Sequence, residues 1–325
     1  MSLYQTDSRG CSVGLRDASK PFRLCIRGEA RGITTSLRNQ LAKGAMMICG
    51  ALKVAAATLL LVASSAQADP VTLDGTEQWT MKSEEGREYR IMISLPEGDV
   101  PYTGGYPVIY LLDGNAYFPA FHAAKRAQTQ LKASILVGIG YPSDTPLDFE
   151  RRAFDLSPPA PEARNDPPQG GQDEFLAFIE NRLMPKVAER FTVDQDQRSL
   201  VGHSFGGMFA IYTLFTRPDV FQNTVAVSPS LWWQDRYLLK HERTFRERAH
   251  AGQIDLTHRS LVLIMGERDL AQSVQDARSL QLRLEDLSQY GLRSDYRVEA
   301  GEDHMSVPFR IASRVLDELI STRRF

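Results

Sequence analysis

From residue 69 onward, short apolar runs alternate with segments whose apolar positions recur every three or four residues. The runs are Tyr106–Leu112, Ser134–Gly140, Ser199–Val201, Thr224–Val227 and Leu261–Met265. Near-continuous apolar runs of this length suit strands buried on both faces of a parallel sheet. Between them, Phe175, Leu176, Ile179, Leu183, Val187 and Phe191 fall on one stripe and predict a helix over 173–191, with Pro185 as a kink or break. Ala277–Leu287 and Ile311–Ile320 read as further amphipathic helices, and Tyr296–Glu299 as a late strand. Gln78–Lys82 and Tyr89–Leu95 alternate as an antiparallel hairpin does. A hairpin followed by alternating strands and helices predicts an α/β fold: a mostly parallel central sheet in one domain, with helices on both faces. Residues 141–172 hold seven of the 17 prolines and few aliphatics, and are expected to form a long structureless loop of the kind that covers sites.

The front of the chain reads differently. Residues 46–68 carry one charge, Lys53, then the apolar run Val54–Ala63, then Ala66-Gln67-Ala68, a signal-peptidase pattern with cleavage expected before Asp69. The run is too short for a bilayer-spanning helix of about 20 residues, so no stable membrane anchor is expected. The basic residues 1–45 precede that leader and are read as an upstream extension or a mis-assigned start, with Met46 or Met47 as the true one. Residues 69–325 are then a single secreted domain, periplasmic by this reading.

Composition narrows the chemistry. The 325 residues are 42% hydrophobic and 24% charged, as in ordinary globular proteins. The net charge is −2, and residues 69–325 alone sum to −8, so no basic field points to nucleic acid. Cys11, Cys25 and Cys49 all precede residue 69. The secreted part therefore has no thiol nucleophile, no Cys-ligated zinc and no disulfide framework.

Gly202-His203-Ser204-Phe205-Gly206 fits G-x-S-x-G, with an apolar strand leading in and an apolar helix leading out. That context predicts a nucleophile elbow: the serine sits on a sharp strand-to-helix turn, and the Phe205 N–H faces a developing oxyanion. A serine hydroxyl needs a base. In this fold order the histidine comes last, and His304, in a turn before the final helix, suits best. His122 precedes the serine; His241, His250 and His258 lie in a charged helical segment and read as surface residues; His203 reads as a neighbour rather than the base. Glu267 or Asp269, after the Leu261–Met265 run, can orient the imidazole, and Asp269 has the greater reach. A second oxyanion N–H is expected near Asn115 in the turn Leu111–Tyr117. Asp113 reads as a capping carboxylate. No cofactor or metal is called for.

These pieces resemble the putative-esterase (esterase D-like) group of α/β-hydrolases. The matches are Tyr110–Asn115 (YLLDGN), Gly202–Gly207 (GHSFGG), Ser228–Trp233 (SPSLWW), Gly266–Asp269 (GERD) and Asp303-His304, spread from about residue 75 to the end. Within the group, Arg152-Ala-Phe-Asp155-Leu-Ser157-Pro158 resembles a stretch of periplasmic enterobactin and salmochelin esterases. The resemblance implies a serine esterase acting on a catecholate siderophore trilactone, with Arg152 meeting the catecholate. A ferric tris-catecholate is a trianion, which an acidic protein repels unless local cations compensate. Arg151 and Arg152 can do so, with Trp232 and Trp233 as aromatic faces. Two alternatives remain: a phenolic-ester or short-acyl carboxylesterase, and a catalytically silent protein that binds a siderophore or polysaccharide. Oligomeric state is not legible from the sequence.

Overall fold

The computed structural model describes residues 70–321. The readings of residues 1–45 and 46–68 lie outside the described residues. Eight strands form one sheet: β1 (Thr76–Lys82), β2 (Glu88–Ser94), β3 (Tyr106–Leu111), β4 (Ile135–Gly140), β5 (Val193–His203), β6 (Asn223–Val227), β7 (Ser260–Gly266) and β8 (Arg293–Glu299). Their order is β1-β2-β4-β3-β5-β6-β7-β8. β1 and β2 pair antiparallel, as do β2 and β4; the pairs from β4 through β3 to β8 are all parallel. This is the predicted mixed sheet with an antiparallel hairpin at its start.

The period-2 alternation of the strands divides their side chains between two cores. Ile109 and Leu111 of β3, with Val225 and Val227 of β6, pack with the helices Gly114–Ala127 and Val307–Ser321 on one face. Val108 and Tyr110 of β3 face the other way, toward Phe209 of the helix Phe205–Thr216. β4, β6 and β7 are buried along their whole length. That is why they read as continuous apolar runs rather than alternating ones. β8, at the sheet edge, alternates and is half-exposed. Among the described residues, no helix is long and apolar enough to cross a membrane.

Three elements depart from expectation. The helix over 173–191 divides into Gln172–Phe178, a π turn Ile179–Leu183, and Met184–Arg190. Pro185 stands in the first turn of the last piece, where its missing N–H is tolerated, and the wide turn precedes it. β5 begins at Val193, before its apolar core, because its first half is polar and only partly buried. The segment 141–172 is not structureless: it contains the helix Phe149–Asp155 and a 3₁₀ turn, Glu162–Arg164. The Asp148 carboxylate caps that helix, accepting from the Arg151 amide at 3.1 Å. The prolines fall outside it.

Candidate active site

Parallel strands deliver their C-terminal ends to one edge of the sheet. Just beyond three of them, non-glycine residues have positive φ: Asp113 (52°) after β3, Ser204 (58°) after β5 and Ser228 (41°) after β6. Such conformations cost roughly 1–3 kcal/mol each, and they concentrate at functional sites. At Ser204 the bend depends on the flanking glycines. A Cβ at Gly202 would lie 2.2 Å from the Gly206 carbonyl oxygen, and one at Gly207 would lie 3.1 Å from that of Val227. The Ser204 amide donates to the Val227 carbonyl at 2.9 Å, which ties the bend to β6. Its Oγ lies 3.3 Å from Ser230 Oγ.

His304 arrives from the turn after β8. Gly266 permits the approach: a Cβ there would lie 2.7 Å from the Glu302 carbonyl oxygen. The Arg268 amide bonds that same carbonyl at 2.8 Å. His304 Nδ1 donates to Asp269 Oδ1 at 2.8 Å. Asp269 Oδ2 accepts from Ser228 Oγ at 2.5 Å and from the Gly266 amide at 2.9 Å. Burial pushes the Asp269 carboxyl up, but the hydrogen bonds from His304, Ser228 and Gly266 outweigh it and hold the group below its ordinary range. Asp269 therefore stays ionised and faces the imidazole as an acceptor. Glu267 does a different job, accepting from the Gly301 amide at 2.7 Å and so tying down the loop that carries His304.

His203 is 3% exposed. Tyr117 OH donates to its Nδ1 at 2.8 Å, and its Nε2 donates to the His304 carbonyl at 2.7 Å. Burial and the neighbouring His304 push His203 down to about 4, so its ring is neutral at ordinary pH and supports the backbone of His304.

Ser204 and His304 line one cavity of about 740 Å³, together with Phe205, Trp232, Trp233, Asp269 and Arg152. Among the described residues no hydrogen bond joins Ser204 to His304; the hydroxyl is turned to Ser230. Ligand-free hydrolase sites commonly show such loose serine–histidine geometry. Trp232 is 46% exposed at the rim. Trp233 packs its edge against Phe205, with ring centroids 4.6 Å apart.

Several sequence readings need correction. The Arg152 guanidinium is not a free cation. It is a fork on Asp113, Nε to Oδ1 and Nη2 to Oδ2, both at 2.9 Å, with side chains 6% and 1% exposed. Asp113 stands at the start of the helix Gly114–Ala127, yet its side chain caps nothing and serves Arg152 instead. Arg151 lies over the rings of Tyr89 and Tyr141 and donates to the Glu88 carbonyl at 3.0 Å. Asp155 is buried against Tyr89 OH at 3.2 Å, and burial pushes its carboxyl up to about 7. The whole Arg152–Asp155 stretch thus fastens a helix to the body. Asn115 is not among the residues lining the cavity. Its side chain donates to the carbonyls of Tyr141 and Ser143 at 3.0 and 2.9 Å, pinning the segment after β4. His250 and His258 are exposed as expected, but His241 is half-buried between the rings of Tyr212 and Tyr237. His122 is buried on Ser94 Oγ at 2.8 Å.

Sequence reasoning missed Ser228, Ser230 and Tyr117 as supporting groups. The first two lay in view within SPSLWW, but only the sheet places them beside Asp269 and Ser204.

A serine on a strained elbow shares a cleft with an imidazole backed by an ionised carboxylate, at the C-terminal edge of a mostly parallel sheet. This defines a serine ester hydrolase of the α/β-hydrolase fold. The family model described as "Putative esterase" matches residues 83–306, and the chain belongs to that family. The chain is 35% identical over 267 residues to the ferri-bacillibactin esterase BesA of Bacillus subtilis, covering 75% of this chain and 89% of that protein. It is 32% identical over 153 residues to the apo-salmochelin esterase of Escherichia coli O6:H1, covering 45% and 48%. Among solved structures, the BES protein from Bacillus cereus superposes with a TM-score of 0.69 at 33% identity, covering 79% of this chain and 99% of that one.

Proposed function

We propose that the protein is a secreted siderophore esterase that opens a catecholate trilactone through an acyl-enzyme on Ser204. The His304–Asp269 hydrogen bond in the same cavity as the Ser204 elbow carries this reading. Ser204 Oγ attacks an ester carbonyl carbon while His304 Nε2 takes its proton, and the Asp269 carboxylate stabilises the imidazolium. The Phe205 N–H, first in the helix after the elbow, holds the tetrahedral oxyanion. Collapse breaks the acyl–oxygen bond, and the leaving alkoxide takes the proton from His304. Water, deprotonated by His304, then releases the acyl group and restores Ser204. Opening the ring removes the preorganisation that makes the trilactone a strong iron chelator. The named activities of the relatives support the substrate class. The signal-peptidase pattern in the sequence at 46–68 supports export to the periplasm.

Chromatography of enterobactin incubated with the purified protein tests the reading. The expected product is the linear trimer. Ser204→Ala should lower its rate at least about 10³-fold and abolish labelling by a fluorophosphonate. Intact enterobactin alongside rapid cleavage of feruloyl or short-acyl esters would transfer the assignment to a general carboxylesterase. Absence of labelling in the wild type would leave a binding protein.

A further inference from the structure

In the covalent intermediate of the reaction above, Ser204 Oγ carries no proton and has become an ester oxygen, a poor hydrogen-bond acceptor. Its neighbour in the ligand-free site is Ser230 Oγ, 3.3 Å away. Ser230 lines the cavity yet is only 3% exposed, and its hydroxyl has no other hydrogen bond among the described residues. Backbone contacts fix where that hydroxyl stands. The Ser230 amide donates to the Ser204 carbonyl at 3.1 Å, and the Ser230 carbonyl accepts from the Trp233 amide at 3.1 Å. Two residues earlier, the Ser228 amide donates to the Ile264 carbonyl at 2.7 Å, and Ser228 Oγ donates to Asp269. A Cβ at Gly207 would lie 3.2 Å from Pro229 Cα, so the elbow and the Ser228–Ser230 turn are in close contact. One short turn therefore ties the backbone of the nucleophile to the carboxylate behind the imidazole. Acylation of Ser204 leaves the Ser230 hydroxyl in a mostly buried place without its partner, which is unfavourable unless a water takes over the bond.

We propose that Ser230 is a catalytic residue of the second half of the reaction: its hydroxyl oxygen holds the water that releases the acyl group from Ser204. The proposal rests on the acyl-enzyme reading and names a further residue of that same site. The water donates one O–H to Ser230 Oγ and the other to His304 Nε2, which is left free because Nδ1 is engaged by Asp269. A water at an ordinary bond length of about 2.8 Å from Ser230 Oγ is within attacking reach of the acyl carbon, which is one covalent bond from Ser204 Oγ. With both protons directed, a lone pair of the water is turned to that carbon. The bond from water oxygen to carbon forms as Nε2 takes the proton. The bond from carbon to Oγ then breaks, and the same proton passes from His304 to Ser204 Oγ. One water is consumed, and the products are the acid and the free serine. Orientation of this kind acts in deacylation alone: in acylation the nucleophile is Ser204 itself, and the Ser230 hydroxyl need only release it.

The two half-reactions are separated with p-nitrophenyl dimethylcarbamate, whose carbamoyl ester on serine is resonance-stabilised and hydrolyses slowly. Release of nitrophenol times the transfer to Ser204. Return of activity toward a chromogenic ester, after the reagent is removed, times the attack by water. Both are measured in the wild type, Ser230→Ala and Ser230→Thr. Ser230→Ala is expected to take up the carbamoyl group within about threefold of the wild-type rate and to recover about 10- to 50-fold more slowly. Ser230→Thr keeps the hydroxyl and should recover within about fivefold of the wild type. Recovery of Ser230→Ala at the wild-type rate overturns the proposal. So does equal slowing of uptake and recovery, which would make Ser230 a support of the nucleophile. Either result leaves the acyl-enzyme reading standing. A wild type that takes up neither the carbamoyl group nor a fluorophosphonate removes the acyl-enzyme reading and this proposal with it.

Discussion

On the β5–β8 side of the cavity, each residue that bears on the ester is held beyond a strand end by short hydrogen bonds: the Ser204 amide by β6, the Asp269 carboxylate by Ser228 and Gly266, and His304 by Asp269 at its ring and by His203 at its carbonyl. On the opposite side, the segment 141–172 reaches the cavity through a short helix whose cations are turned inward, Arg152 onto Asp113 and Arg151 onto two tyrosine rings. The first wall orients reactive groups; the second is fastened to the body by Arg151 and Arg152. An arginine near a reactive serine can thus belong to the scaffold. A buried, bidentate guanidinium is neutralised by its partner before any substrate arrives.

The sharpest way to break this contrast is to treat the carboxylates unequally. Asp269→Asn removes the charge that stabilises the imidazolium and should lower kcat about 10²–10⁴-fold with a chromogenic ester. Glu267→Gln, two residues earlier, loses only a loop contact to Gly301 and should fall less than about threefold. Equal losses would mean that the loop, rather than the His304 contact, governs turnover.

On the second wall, Arg152→Ala strands the Asp113 carboxylate, 1% exposed, and should destabilise the fold by about 3–5 kcal/mol in urea unfolding. Arg151→Ala, which loses two ring contacts, the bond to the Glu88 carbonyl and a 3.8 Å ion pair with Asp155, should cost less, about 1–2 kcal/mol. A stable Arg152→Ala with impaired substrate affinity would return Arg152 to the ligand.

The smallest effect is a pH slope. His203 titrates at about 4 in the fold against 6.5 ordinarily. Below pH 6.5 the unfolded chain therefore binds more protons, and stability falls as pH drops toward 4, by up to roughly 1.4 kcal/mol per pH unit. Asp155, raised to about 7 from 3.8, has the opposite slope across the same window, since there the folded state holds the extra proton. The His203 and Asp155 contributions thus oppose each other between about pH 4 and 6.5. His203→Asn, which keeps an N–H for the His304 carbonyl, should gain stability on the wild type as pH falls. Parallel curves in urea unfolding at pH 4.5 and 7 would show that His203 is not the neutral prop described here.

The legible parts of the molecule were those fixed by local pattern. Fully buried strands such as β4 and β7 declare themselves by unbroken apolar runs. The Ser204 elbow declares itself because its glycines and its flanking strand and helix are contiguous in the chain. The role of Arg152 was not legible, since its partner lies 39 positions away and only packing of the helix Phe149–Asp155 against the turn after β3 brings them together. The helix inside 141–172 was hidden by the prolines around it.

By itself, then, the amino-acid order determined the alternation of strands and helices, the sharp turn at the nucleophile, and a histidine late enough to reach it, because each depends on neighbours within a few residues. Only the folded sheet decided which carboxylate meets His304 and which arginine is neutralised. Those outcomes depend on distances between segments far apart in the chain, and on burial, which sets whether a charge is available or already paired.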